Sequence, residues 1–112
     1  MERDSQDEIT EVEIGGVYFR WFNWKSEKNF RDHGVAHYNA AKMLLEKEIG
    51  YGKNPNQHYP NQYLSLCLTL DGARLITVVY ENGFDMIEEK EYTFIITLWK
   101  TTKAEERRLK ND

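Results

Sequence analysis

From Tyr63 to Leu70 the chain alternates without a fault. Leu64, Leu66, Leu68 and Leu70 fall on one side of an extended backbone, and Tyr63, Ser65, Cys67 and Thr69 on the other. Asp71-Gly72 follows, a dipeptide suited to a two-residue type I′ turn, in which both central residues take positive φ. Apolar residues resume from Ala73 to Tyr80, so a hairpin is expected. Its register would set Leu70 opposite Ala73, Leu68 opposite Leu75, Leu66 opposite Thr77 and Leu64 opposite Val79. The other face would pair Thr69 with Arg74, Cys67 with Ile76, Ser65 with Val78 and Tyr63 with Tyr80. The leucine face is expected to pack on helices and the mixed face to stay half open, as is common in antiparallel sheets.

Helices are read upstream of this hairpin. Trp21, Lys25, Asn29 and His33 recur every four residues, a spacing that stacks them along one helix edge. Asn23 or Ser26 can cap this helix and Gly34 can stop it. Val17 to Phe22, just before it, is β-branched and aromatic and reads as a strand. A second helix runs from about Ala36, with Ala40, Ala41, Leu44, Leu45 and Ile49 at helical spacing, and ends at Gly50. Tyr51 to Asn61 contains both prolines and reads as a loop.

Downstream, Asn82-Gly83 reads as a turn, Phe84 to Glu91 as a charged excursion, and Tyr92 to Lys100 as a strand. Alternation places Phe94, Ile96 and Leu98 on one face of that strand and Thr93, Ile95, Thr97 and Trp99 on the other. Thr102-Lys103-Ala104-Glu105 has capping-box spacing and opens a terminal helix. The expected fold is α+β: an antiparallel sheet of about four strands packed by two N-terminal helices, with a short C-terminal helix.

Charge divides the chain. Of its net −4, residues 1–13 hold six acids against Arg3, and the remainder holds 14 bases against 13 acids. Residues 1–14 are therefore expected to be a flexible, acidic leader to a single domain over 15–112. A body near neutrality argues against a broad phosphate-binding face and leaves room for a local one. One cysteine in 112 residues excludes an internal disulfide, and a cytoplasmic, soluble protein is expected.

Three constellations bear on chemistry. His33 and His37 stand four apart, but Gly34 breaks the helix between them, so neither a metal nor another cofactor is expected. Lys25, Asn29 and His33 form a polar edge with two readings. In one, Lys25 is solvated while Asn29 and His33 hold loop backbone; in the other, Lys25 binds a phosphate and His33 moves a proton. Lys100, Lys103, Arg107, Arg108 and Lys110 make the C-terminus basic, which suits either phosphate or the negative end of the helix dipole. Tyr63, Tyr80, Ile95 and Trp99 share the mixed sheet face by alternation and are candidates for a protein contact.

The pattern W-x3-K-x3-N-x3-H-G-V from Trp21 to Val35, with Ala40 beyond it, resembles the start of the BrnT family, small ribonuclease toxins of bacterial toxin–antitoxin pairs with a RelE-like fold. LSLCLTLDGARLITVVYENG and IITLWKTTKAEERR resemble the family's later strand–turn–strand and strand-to-helix motifs, so the likeness spans about Phe19 to Arg108. It implies a metal-independent endoribonuclease with Lys25, His33, Lys100, Glu105 and Arg107 in the catalytic set. Trp99 and Lys103 would touch substrate. The implied partners are a ribbon-helix-helix-type antitoxin, RNA, and a second copy when the chain is alone. Trp99 stands where the family pattern has an arginine, and Asn61-Gln62 where it has an acidic and a basic residue, which implies weakened turnover. Two readings remain beside it: a non-catalytic BrnT-like interaction domain, and an unrelated small-ligand-binding or oligomer-forming domain.

Overall fold

Six strands and three helices appear in the computed structural model, which describes residues 8–110. In chain order they are β1 (Ile9–Ile14), β2 (Val17–Phe22), α1 (Asn23–His33), α2 (His37–Glu46), β3 (Glu48–Lys53), β4 (Gln62–Leu68), β5 (Leu75–Asp85), β6 (Lys90–Lys100) and α3 (Lys103–Lys110). One sheet takes them in the order β1-β2-β6-β5-β4-β3. Its neighbours are antiparallel except β2 and β6, which run parallel through Phe19 beside Thr93 and Arg20 beside Phe94. The expected four-stranded antiparallel sheet is thus replaced by a six-stranded mixed one.

The two extra strands lie at the edges. Ile9–Ile14, expected to be flexible leader, pairs along β2, with its acids on the outward alternation and Thr10, Val12 and Ile14 turned inward. Charged residues on an outer strand limit edge-to-edge pairing with other chains, so an acidic stretch can still be a strand. Residues 1–7 of that leader lie outside the described residues. At the other edge, α2 ends at Glu46, and Ile49 and Gly50, expected to close it, belong to β3 with Tyr51 to Lys53. Gly50 has a packing reason: a Cβ there would collide with the backbone carbonyl of Leu109 in α3.

The hairpin register of β4 and β5 is the expected one from Leu68 opposite Leu75 to Tyr63 opposite Tyr80. Its turn is not. Thr69 and Arg74 close a longer loop, in which Thr69 N–H donates to the Arg74 carbonyl at 2.9 Å and Gly72 N–H to the Thr69 carbonyl at 2.7 Å. Helices cover both faces, so the mixed face is not half open. There α1 and α2 lie on it: Cys67, Ile76 and Val78 join Phe19, Trp21, Ala40, Ala41, Met43, Ile95 and Leu98 in the larger core. Leu64, Leu66 and Val79 pack instead against Leu109 of α3.

Two further differences arise in β5 and β6. Asn82-Gly83 continues β5, because the Tyr92 ring occupies the space that a side chain at Gly83 would need. The reversal comes at residues 86–89. A register shift at Val79/Tyr80 leaves Ile96 as an extra residue in β6, so alternation breaks there. Ile95 and Leu98 consequently face α1 and α2, while Ile96 and Trp99 face the α3 side.

Local signals account for the helix ends. Gly34, at φ +77°, closes α1 through an N–H bond to Phe30 O. Neither helix of the pair is capped by its own N-terminal side chain. Ser26 Oγ instead accepts the His37 N–H at 3.0 Å, so α1 caps α2. The capping box of α3 forms in full: Thr102 Oγ1 accepts Glu105 N–H at 3.1 Å, and the Glu105 carboxylate accepts Thr102 N–H at 3.2 Å.

Candidate functional site

One end of the sheet gathers cations from three separate elements. His33 is the last residue of α1, and Arg74 Nη1 donates to its carbonyl at 2.9 Å. Arg74 is held in place by the β4–β5 loop, where its N–H donates to Thr69 Oγ1 at 3.1 Å. Asp71 organises that loop by accepting from the Thr69 hydroxyl at 2.6 Å and the Ala73 N–H at 3.0 Å. Those bonds, the Thr69 one foremost, hold its carboxyl below the usual carboxylate range. Lys100 lies opposite Ile76, and Thr101 N–H donates to Leu75 O at 3.3 Å, which brings the end of β6 alongside Arg74. Lys103 opens α3 immediately beyond. Arg74, Lys100 and Lys103 are exposed, as a phosphate site requires.

The sequence-predicted catalytic set divides around this end. Lys25 and His33 belong to α1, on one side of the sheet, and Glu105 and Arg107 to α3, on the other. Lys25 lies over the Trp24 ring, 5.1 Å from its centroid. Glu105 is wholly engaged in structure: its carboxylate accepts the Trp99 indole N–H at 3.0 Å on each oxygen, the Thr77 hydroxyl at 3.0 Å, and Thr102 N–H. Trp99, expected to touch substrate, is the other half of that contact. Arg107 is exposed on α3.

Beneath α1 lies a network that sequence reading missed. His37 is fully buried, and its Nε2 sits 2.8 Å from Asn29 Oδ1. Asn29 in turn donates to Leu98 O at 3.4 Å and accepts from the Thr97 hydroxyl at 3.3 Å. Burial, and secondarily the charge of Lys25, pushes the imidazole down to about 4, so it is neutral near pH 7. Asn29 on this helix therefore ties α1 to the β6 backbone, and Trp21, read as its neighbour on the helix, sits in β2 with its ring edge against His37. No signal in the sequence separated His37 from a surface histidine except its place among Val35, Ala40 and Ala41.

The proposed partner residues fare unevenly. Tyr63 and Tyr80 stack at 5.7 Å and stay half exposed, with burial raising the Tyr80 phenol to about 12. Ile95 is fully buried beneath the helices, so it offers nothing to a partner. Cys67 is buried too, and burial raises its thiol to about 12, a packed group and not a nucleophile. Gln62, at the position of the family's charged pair, accepts from Asn54 at 3.0 Å and pins the β3–β4 loop. Arg74 is the residue that sequence reading placed on a strand face and that the loop turns into the centre of the basic end.

No family model and no curated protein matches the chain. No helix among the described residues is long and apolar enough to cross a membrane.

Proposed function

We propose that this chain is a BrnT-like toxin component of a toxin–antitoxin pair that binds RNA at the basic end of its sheet and cleaves it poorly. The observation that carries this reading is the bond of the Arg74 guanidinium to the His33 carbonyl at the end of the sheet where β6 ends in Lys100 and α3 begins with Lys103, while Glu105 is held by Trp99, Thr77 and Thr102. Three exposed cations suit the phosphates of a single strand, and His33, whose backbone carbonyl Arg74 bonds, would be the group to take a proton from a ribose hydroxyl. Efficient transesterification also needs a group to protonate the leaving oxygen and fixed charge on the phosphorane. Glu105 cannot serve without abandoning three donors, and the one neutral donor of Trp99, where the family pattern has a guanidinium, is already given to Glu105. A ribbon-helix-helix-type antitoxin, and pairing with a second copy when alone, belong to the same proposal.

The test is a fluorescein-labelled single-stranded RNA incubated with the purified protein, followed by anisotropy and by gel. Micromolar binding with slow cleavage is expected, weakened by Arg74→Ala with Lys100→Ala. Rapid cleavage that Glu105→Gln abolishes in a normally folded protein would overturn the assignment of Glu105 as structural. Binding without any cleavage would favour the second reading, a non-catalytic interaction domain, which the engagement of Glu105 and Trp99 also supports.

A further inference from the structure

The two outer strands of the sheet, β1 and β3, differ in what they offer a neighbour. Among the described residues, no strand pairs with the outer side of either. In β1 the Glu8 carbonyl accepts the Asn23 N–H, so alternation turns the N–H and C=O of Ile9, Glu11 and Glu13 outward. Two exposed carboxylates thus flank any strand that approaches there. In β3 the Asn54 N–H donates to Gln62 O at 2.9 Å, and the same alternation turns the N–H and C=O of Tyr51 and Lys53 outward.

This second edge is far less guarded. No proline interrupts it, and its one acid, Glu48, is balanced by its one base, Lys53. Ile49 and Tyr51 are large apolar side chains exposed by 42% and 63%. No residue of β3 is buried. Leu109 of α3 lies over Gly50 and Gly52 on one face, which clamps the strand against the molecule without covering its outer side. Such an edge is a template for another strand.

A second copy of the same strand fits it. In an antiparallel pair, outward residues must face outward residues, which is met with Tyr51 on a two-fold axis, exchanging both backbone hydrogen bonds with its own copy. The copy's Lys53 then falls opposite Ile49 and beside Glu48. The Ser65 hydroxyl holds the Glu48 carboxylate on the sheet face that Tyr51 and Lys53 share. Opposite charges meet at both ends of the contact and two tyrosine rings at its centre, pairings that stabilise adjacent strands. The same arrangement on β1 would set Glu11 against its own copy, with Glu13 close by on either side.

We propose that β3 is the edge through which this chain pairs with a second copy, joining the two sheets into one about an axis at Tyr51. The inference gives a place to the self-pairing in the proposed function and rests on that part of it alone.

Sedimentation velocity and amide hydrogen exchange on the full chain, from low to high micromolar concentration, test it. A monomer–dimer equilibrium is expected, with the Tyr51 and Lys53 amides gaining protection as the dimer forms. Tyr51→Pro removes one outward N–H and no hydrogen bond to β4, and Tyr51→Lys sets two like charges across the axis. Each should raise the dimer dissociation constant by about tenfold or more. Tyr51→Cys should cross-link two copies on mild oxidation, since the Cα atoms of a hydrogen-bonded pair stand about 5.5 Å apart, within the span of a disulfide. Lys53→Cys, displaced from the axis, should not, and the buried Cys67 does not compete. A strict monomer over the whole range, a dimer that both Tyr51→Pro and Tyr51→Lys leave intact, or readier cross-linking through Lys53→Cys would each overturn the proposal. No RNA enters these measurements, so their failure leaves the RNA reading standing, and a failure of RNA binding leaves the edge pairing untouched.

Discussion

Glu105 shows how one side chain can serve a helix cap and a sheet at once. Its carboxylate closes the α3 capping box and takes the indole N–H of Trp99 and the hydroxyl of Thr77, a residue with no exposed surface. Truncation to alanine leaves the part-buried Trp99 indole N–H without its acceptor, while Thr77 keeps Thr101 Oγ1 at 3.0 Å, and an orphaned donor of this kind costs about 1–3 kcal/mol. Glu105→Ala should therefore lower the urea unfolding free energy by about 2–3 kcal/mol. Glu105→Gln retains one acceptor oxygen and should cost less; equal losses would show that the hydrogen bonds are not the cause. His37 has a pH signature of its own. Its folded pKa of about 4 lies below the ordinary 6.5, so between those values the unfolded chain binds a proton that the folded one does not. Stability is then fully present above pH 6.5, falls as pH drops toward 4, and levels off below it. The loss should total about 3 kcal/mol across that window. Urea titrations at pH 7 and pH 5 check this against His37→Leu, which should flatten the dependence.

Among the elements, α3 depends on a glycine in the strand beneath it. The Leu109 backbone approaches Gly50 where any side chain would stand, and Leu109 covers Leu64, Leu66 and Val79. Gly50→Ala should lift the helix at a cost of about 1–3 kcal/mol, read as lost amide-exchange protection over residues 103–110. Leu66→Ala removes the floor of the same cluster and should cost about 2–5 kcal/mol. The two elements also mark what the sequence could disclose. The β4–β5 register was legible because a two-residue turn at Asp71-Gly72 and the longer Thr69–Arg74 loop leave the same residues opposite each other. Which helices cover which face was not: both faces carry enough apolar area, and α3 claims the leucines only through a close approach at Gly50 that composition does not reveal. β3 escaped because Glu-Ile-Gly-Tyr-Gly-Lys has poor strand propensity, and it exists by pairing with β4. The extra residue at Ile96 reversed the alternation in β6 and so parted Trp99 from Ile95. The candidate site was half legible, since His33, Lys100 and Lys103 were named from residue type, whereas Arg74 needed the loop that delivers it.

At the scale of the whole molecule, charge is arranged and not merely balanced. Acids run along β1 and around the β5–β6 hairpin, at Glu11, Glu13, Glu81, Asp85, Glu88, Glu89 and Glu91, and the bases of the proposed RNA site lie where β5 begins and β6 ends. On the proposed reading, a strand of RNA would be steered toward the basic end and away from the hairpin. The footprint there is small, so its salt dependence should be shallow. Each phosphate neutralised on a single strand contributes about 0.7 to the slope of log affinity against log salt, which makes about 2 for Arg74, Lys100 and Lys103 together. Arg74→Ala with Lys100→Ala should reduce that slope by about 1.4, while Lys53→Ala, at the far end of the edge strand β3, should leave it unchanged. A slope above about 5 would mean that many more cations than this end supplies take part. A slope that persists in the double variant would place RNA elsewhere on the molecule, and the basic end would then be left with only its role at the helix termini.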